Sequence, residues 1–134
     1  MYAIEQNGRD LRIVLAGSMP LEELGRWRAD LARTLARSGG PFGLLVDMRD
    51  LSPPRAEAAA LLSNGRAAAR AVGMSRSAVI VSASHFATEL RLQATRSGAD
   101  AYERTIDASS TDDWEGEAWA WVREGKEPTW RDTP

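Results

Sequence analysis

The first seventeen residues alternate between apolar and polar positions. Tyr2 and Ile4 fall on one face, and Leu11, Ile13 and Leu15 continue the alternation further along. Between the two runs lies Asn-Gly, the strongest two-residue hairpin signal because both residues tolerate positive φ. The pattern predicts an antiparallel hairpin that ends near residue 17.

The rest of the chain alternates between short apolar runs and helical stripes. Two apolar runs, Phe42–Met48 and Ala78–Val81, predict buried strands, and Tyr102–Asp107 is predicted to be the last strand. Apolar residues at spacings of three and four predict four helices, starting at Pro20, at Ser52-Pro53-Pro54, at His85 and near Trp114. Glycine weakens a helix, so Ser63-Asn64-Gly65 could bend or break the second one.

The predicted order is β-β-α-β-α-β-α-β-α in a chain of 134 residues, the size of one domain. Strands separated by helices imply right-handed crossovers. The sequence therefore predicts an α/β fold: a single mixed, mostly parallel sheet with an opening antiparallel hairpin and four helices. We expect the domain to span residues 1–125, followed by a polar tail over residues 126–134.

Composition excludes some classes of site and partner. The chain has no cysteine, one histidine and a formal net charge of -2. Thiolate metal sites are thus excluded, no cofactor is expected, and nucleic acid is not an expected partner. No basic segment followed by an apolar one opens the chain, and no apolar run is long enough to span a membrane. We expect a cytoplasmic protein.

Polar side chains follow the predicted parallel strands, where open α/β sheets bind ligands. They include a serine, a histidine and an aspartate, so a hydrolase using Ser52 or Ser84 with His85 must be considered. No Gly-x-Ser-x-Gly turn is present to expose a serine nucleophile. Helix caps at Ser52 and Ser84 and a turn closed by Asp50 explain the same residues more simply. We therefore predict a protein that is not an enzyme.

Several segments together resemble the STAS family, in particular its small stand-alone bacterial members described as SpoIIAA-like or STAS/SEC14-like. The resemblance is carried by Phe42–Asp50, the alanine-rich helix that follows, Ala78–Ser82, and Gln93–Gly98 leading to Tyr102-Glu103-Arg104. It covers about residues 2 to 125 at the level of pattern. The resemblance implies a regulatory module that binds a protein partner.

In the antagonist branch of that family, a partner kinase phosphorylates a serine at the start of the helix after the third strand. Ser52 stands at or near the matching position, but Asp50-Leu51-Ser52-Pro53-Pro54 replaces the branch's Asp-Ser-Ser-Gly. The resemblance thus implies Ser52 as a candidate phosphorylation site and an anti-sigma-type kinase as the kind of partner. The candidate interaction surface comprises Asp47, Asp50, Ser52, Arg55 and His85.

Two alternatives to an interaction module stay open, a carrier for a small molecule or lipid and the hydrolase. A module should lack a deep pocket, whereas a carrier should have an apolar cavity of roughly hundreds of Å³. A hydrolase needs its serine, histidine and acid within hydrogen-bonding distance.

One tryptophan, Trp130, lies outside the segments that are predicted to form the core. Trp130 lies in the polar tail, between Thr129 and Arg131. We expect this ring to pack on its own domain or across a homodimer interface.

Overall fold

The computed structural model describes residues 1–129, except the side chains of Ser84 and His85. Five strands form one sheet, in the order of the chain: β1 (Tyr2–Asn7), β2 (Asp10–Leu15), β3 (Phe42–Asp47), β4 (Met74–Val81) and β5 (Glu103–Asp107). The β1 strand pairs antiparallel with β2, from Tyr2 opposite Leu15 to Asn7 opposite Asp10. Every later pairing is parallel. The predicted hairpin and mixed sheet are confirmed.

Four helices accompany the sheet: α1 (Leu21–Ala36), α2 (Ala56–Ala71), α3 (Ser84–Ser97) and α4 (Trp114–Glu124). A short 3₁₀ turn, Ala99–Ala101, links α3 to β5. Glycines in the left-handed conformation follow α3 at Gly98 and α4 at Gly125, as expected at helix C-termini. The predicted count and order of helices are confirmed. In the described part of the chain, no helix is long and apolar enough to cross a membrane.

Strand order decides which face each helix covers. Because β2 to β5 follow one another in space as in sequence, right-handed crossovers bring all three connecting helices to the same face. The larger core cluster accordingly joins α1, α2 and α3 to that face, and α4 covers the other with Ala118, Trp121 and Val122. We call these the three-helix face and the α4 face.

Strand β3 is buried along its whole length, as its apolar run predicted. Its side chains alternate between the two faces. Leu44 and Val46 join the core on the three-helix face, whereas Leu45 joins the core beneath α4. Asp47, two residues after Leu45, therefore belongs to the α4 face.

The α2 helix begins later than the sequence suggested. Its first residue is Ala56, and the preceding N-cap residue, Arg55, makes no side-chain capping hydrogen bond. A proline disfavours helical backbone in the residue before it, so Pro53-Pro54 keeps Ser52 and Pro53 out of the helix. The expectation that Ser52 starts and caps this helix was wrong.

Gly65 does not interrupt α2, which runs unbroken from Ala56 to Ala71. A Cβ atom at Gly65 would lie 2.4 Å from Cη2 of Trp27 and 3.2 Å from Cδ2 of Leu31. The missing side chain therefore lets α2 pack directly against the indole ring on α1. The glycine that looked like a weak point is the contact surface between the two helices.

The start of the polar tail contacts the domain. The Arg104 guanidinium pairs with the Glu127 carboxylate, with Nη2 and Oε1 2.6 Å apart, and Pro128 is buried. The amide and hydroxyl of Thr129 both donate to Glu117 on α4. Burial acts to raise the pKa of Glu117, but hydrogen bonds from Thr111 and Thr129 and the charge of Lys126 lower it further, so the net change is downward. Trp130 lies outside the described residues.

One glycine in each of α1 and α2 provides a matched test of the packing of α2 on α1. Gly25→Ala in α1, where the added Cβ meets nothing within 4 Å, should stabilise the domain by up to about 1 kcal/mol. Gly65→Ala should instead destabilise it by about 1–3 kcal/mol, because the methyl group overlaps a rigid buried ring. Urea unfolding of both variants measures the difference. Equal stabilisation by the two alanines would contradict the close contact.

The tail contacts predict a stability contribution that depends on pH. Removing residues 126–134 should destabilise the domain at neutral pH by roughly 1–2 kcal/mol, or about 3–6 °C in melting temperature. Because the pKa of Glu117 is lowered on folding, its contribution is complete above the ordinary carboxyl pKa and is lost as the pH falls through the lowered value. Thermal melts of the full and shortened chains from pH 7 to pH 3 should therefore converge. When both chains carry Glu117→Gln, the difference between their melting temperatures should be smaller and should depend less on pH. If that difference and its pH dependence were unchanged by Glu117→Gln, the role of Glu117 would be contradicted.

Candidate functional site

The segment between β3 and α2, residues 48–55, is fixed to the sheet by its backbone. The Gly17 amide donates to the Asp50 carbonyl at 2.8 Å, and the Ser52 amide donates to the Gly17 carbonyl at 3.0 Å. The Leu51 amide closes a turn onto the Met48 carbonyl at 3.2 Å. This 48–55 loop is thus held beside the connection from β2 to α1.

Three of the predicted interaction residues lie on the 48–55 loop with exposed side chains: Asp50, Ser52 and Arg55. Ser52 lies four positions before the first residue of α2. Its hydroxyl therefore belongs to the loop and not to the first turn of α2.

Asp47 does not belong to this exposed surface. Its side chain is 7% exposed and lies on the α4 face, where it accepts two hydrogen bonds of 3.0 Å from the Arg49 guanidinium. The Arg12 guanidinium lies 3.7 Å away. The hydrogen bond with Asp47 is the main cause of the raised pKa of Arg49, which also stacks 4.1 Å above the Trp114 ring. Asp47 therefore anchors the start of the loop, and its part in an interaction surface stays a prediction.

Of the residues considered for a hydrolase, the structure describes the side chain of Ser52 but not those of Ser84 and His85. The side chains of Ser84 and His85 lie outside the described set, so neither the predicted surface at His85 nor a catalytic pair can be built from them. Within residues 1–129, apart from those two side chains, no group of three or more acidic or histidine residues is placed to hold a metal ion.

A cavity of about 370 Å³ lies on the three-helix face, between the sheet and the helices α2 and α3. The two helices stand apart: among the described residues, no Cα of α2 comes within 8 Å of a Cα of α3. Contact with α1 holds α2 on one side, and α3 packs towards β5 on the other. The cavity fills the space between them.

The lining of this interhelix cavity is mostly apolar. The sheet supplies its floor and the helices its walls, with Ile13, Leu44, Val46, Val79, Leu62, Phe86 and Leu90 as the main apolar contributors. Polar Ser63, Glu89 and Gln93 also line it and are exposed, so they mark the rim. Arg66 is engaged by Glu103, whose two carboxylate oxygens lie 2.8 and 2.9 Å from Nη1.

Trp27, whose residue is among those that line the cavity, carries a buried polar atom without a partner. Its ring is 3% exposed, and its Nε1 is the only buried side-chain nitrogen or oxygen in the described structure without a hydrogen-bond partner. Leaving a buried donor unpaired costs about 1–3 kcal/mol. An unpaired group of this kind requires an explanation.

The cavity adjoins the exposed loop. Pro53 and Pro54 line the cavity, and they also line a surface groove with Leu51, Ser52 and Arg55. One short segment thus forms a wall of both sites. Anything that displaces these prolines from inside the cavity would alter the outer surface of the loop.

Sequence reasoning missed the cavity residues Trp27, Phe86 and Leu90 as functional candidates. The distance between two helices cannot be deduced from the sequence pattern of one chain. A usable signal was present in α2, whose alanines leave space where larger side chains would fill the gap.

Comparison with known proteins supports the fold. No family model matches the chain, and no curated protein matches it. A solved structure does: the Bacillus cell fate determinant SpoIIAA in its phosphorylated form, with a TM-score of 0.59 and 16% sequence identity. The match covers 84% of this chain and 97% of that one. SpoIIAA is a STAS domain protein, so the chain has the STAS fold that the sequence resemblance implied.

Proposed function

We propose that this chain is a non-enzymatic STAS-like binding module that takes a small apolar molecule into the interhelix cavity. The observation that supports it best is the cavity itself, about 370 Å³ in volume and lined by the apolar side chains of three helices and the sheet. Ligand pockets in proteins range from about 300 to 1,000 Å³, so this volume suits a small ligand. An interaction module alone was expected to lack such a space.

A protein-binding role is the second candidate, and the exposed 48–55 loop favours it. Asp50, Ser52 and Arg55 present a negative charge, a hydroxyl and a positive charge on a segment whose backbone is fixed by Gly17. The likeness to SpoIIAA supports a regulatory module, with an anti-sigma-type kinase as the partner to test. Because Pro53 and Pro54 border the cavity, a bound ligand would lie directly beneath this surface.

Filling the cavity should abolish ligand uptake. Ala59 lines the cavity, whereas Ala60, the next residue of α2, is exposed. Ala59→Phe should therefore lower the affinity for an apolar probe such as heptylbenzene at least tenfold, and Ala60→Phe should leave it unchanged. Binding is measured by the probe-dependent rise in melting temperature. Equal binding by the two variants, or none by the wild type, would contradict the proposal.

The second candidate rests on Ser52, whose phosphorylation would add about -1.5 to -2 charge. Because the Ser52 side chain is exposed, the free energies of unfolding of Ser52→Asp and Ser52→Ala should both lie within about 0.5 kcal/mol of the wild-type value. Against a purified anti-sigma-type kinase, the aspartate variant should bind more weakly than the alanine variant, measured by calorimetry. If the two variants bound the kinase equally well, the proposed phosphorylation switch would be contradicted. The proposal that the cavity binds a ligand would not be affected.

A further inference from the structure

One face of α3 contributes both apolar and polar side chains to the interhelix cavity. Phe86, Glu89, Leu90 and Gln93 all line it, at the spacings of three and four residues that place side chains on the same helix face. Phe86 and Leu90 are partly buried, whereas Glu89 and Gln93 are exposed. The apolar members of this face therefore lie deeper, and the polar pair lies at the mouth, where the cavity meets solvent.

The groups that α3 places at the mouth all favour a positively charged ligand group. Glu89 carries a carboxylate, and Gln93, one turn further along the helix, carries an amide oxygen that accepts hydrogen bonds. Neither side chain makes a hydrogen bond or an ion pair with another described residue. One turn in the other direction, Phe86 carries an aromatic ring, whose face attracts cations.

The cations near the mouth are already engaged. Arg66, the one cationic residue of the described lining, has its Nη1 2.8 and 2.9 Å from the two carboxylate oxygens of Glu103, so these two charges offset each other. Arg28 donates to Asn64 at 2.8 Å, and neither of these residues is among those that line the cavity. The unbalanced charge of the described lining is therefore the negative charge of Glu89.

We infer that the ligand of the cavity is an apolar amine, whose hydrocarbon part lies among the apolar walls and whose ammonium group lies at the mouth beside Glu89. This inference rests on the proposed function and names the chemical class of its ligand. At the mouth, the ammonium group can donate to the carboxylate and still contact water, so it avoids the cost of burying a charge among apolar side chains. A ligand carboxylate at the same place would meet a like charge.

Three probes of similar shape test the charge of the ligand separately from its apolar part. In 6-phenylhexylamine an ammonium group replaces the terminal methyl group of heptylbenzene, and 6-phenylhexanoate ends in a carboxylate. Glu89→Gln should weaken binding of the amine about two- to fivefold, the effect of one exposed ion pair, and should strengthen binding of the carboxylate. Binding of heptylbenzene should not change. Calorimetry gives the dissociation constants of the charged probes, and the rise in melting temperature reports heptylbenzene.

Two further variants control for the change of charge. Glu124 is an exposed residue of α4, on the opposite side of the sheet, so Glu124→Gln removes the same charge away from the cavity. It should leave the affinities for all three probes unchanged. Glu89→Lys replaces attraction by repulsion, so it should shift the ratio of amine to carboxylate affinity about tenfold towards the carboxylate. Added salt should reduce that shift, because the charges at the mouth are exposed to solvent.

The outcomes separate the two proposals. If the wild type took up heptylbenzene but not the amine, or if neither Glu89 variant changed the affinity for the amine, the inference would be overturned and the apolar site would remain. An equal loss of amine binding in Glu124→Gln would overturn it as well. If the wild type bound none of the probes, the proposed function and the inference would fail together. Because Glu89 is exposed, its variants should melt close to the wild-type temperature, which verifies that they are folded.

Discussion

The packing of α2 on α1 is the constraint on which the rest of the three-helix face depends. It is possible only because Gly65 presents bare backbone to the Trp27 ring. That contact holds α2 close to α1, while α3 packs over β5. The sheet beneath is continuous, so the separation of α2 from α3 leaves a space floored by strand side chains. Trp27 thus does two things: its ring positions α2, and it lines the space that results.

Buried polar groups are paired on both faces of the sheet. On the α4 face, Asp47 pairs with Arg49, Asp10 with Arg123, and Trp121 with Ser77. On the three-helix face, Glu103 pairs with Arg66 of α2 and accepts a hydrogen bond from the Ser77 hydroxyl. Binding is assigned to the three-helix face because the cavity lies there.

Much of the fold could be predicted because it depends on local pattern. The alternation at Tyr2 to Leu15 and the apolar run of β3 specify strands without knowledge of distant residues. The errors came where tertiary contacts override local preference. Gly65 looked like a break because its partner, Trp27, is 38 positions away in sequence. In the same way, the arginine partners of Asp47 could not be assigned from the sequence.

The site was less predictable than the fold. Exposure of Asp50, Ser52 and Arg55 followed from a polar loop after a buried strand. The cavity instead depends on the distance between two helices whose Cα atoms, among the described residues, all lie more than 8 Å apart. No periodicity encodes that distance. Ser52 was placed at a helix start by its neighbouring prolines, although two consecutive prolines delay the helix to Ala56.

The central claim is that the interhelix cavity takes up a small apolar molecule. The most direct measurement is the indole region of a ¹H–¹⁵N NMR spectrum, with the Trp27 signal assigned by its loss in Trp27→Phe, because the Trp27 ring lines the cavity. On addition of heptylbenzene, we expect the Trp27 indole signal to shift, with the signal of Trp119, on the opposite side of the sheet, nearly unchanged. A Trp27 signal that does not move at saturating heptylbenzene would contradict the claim.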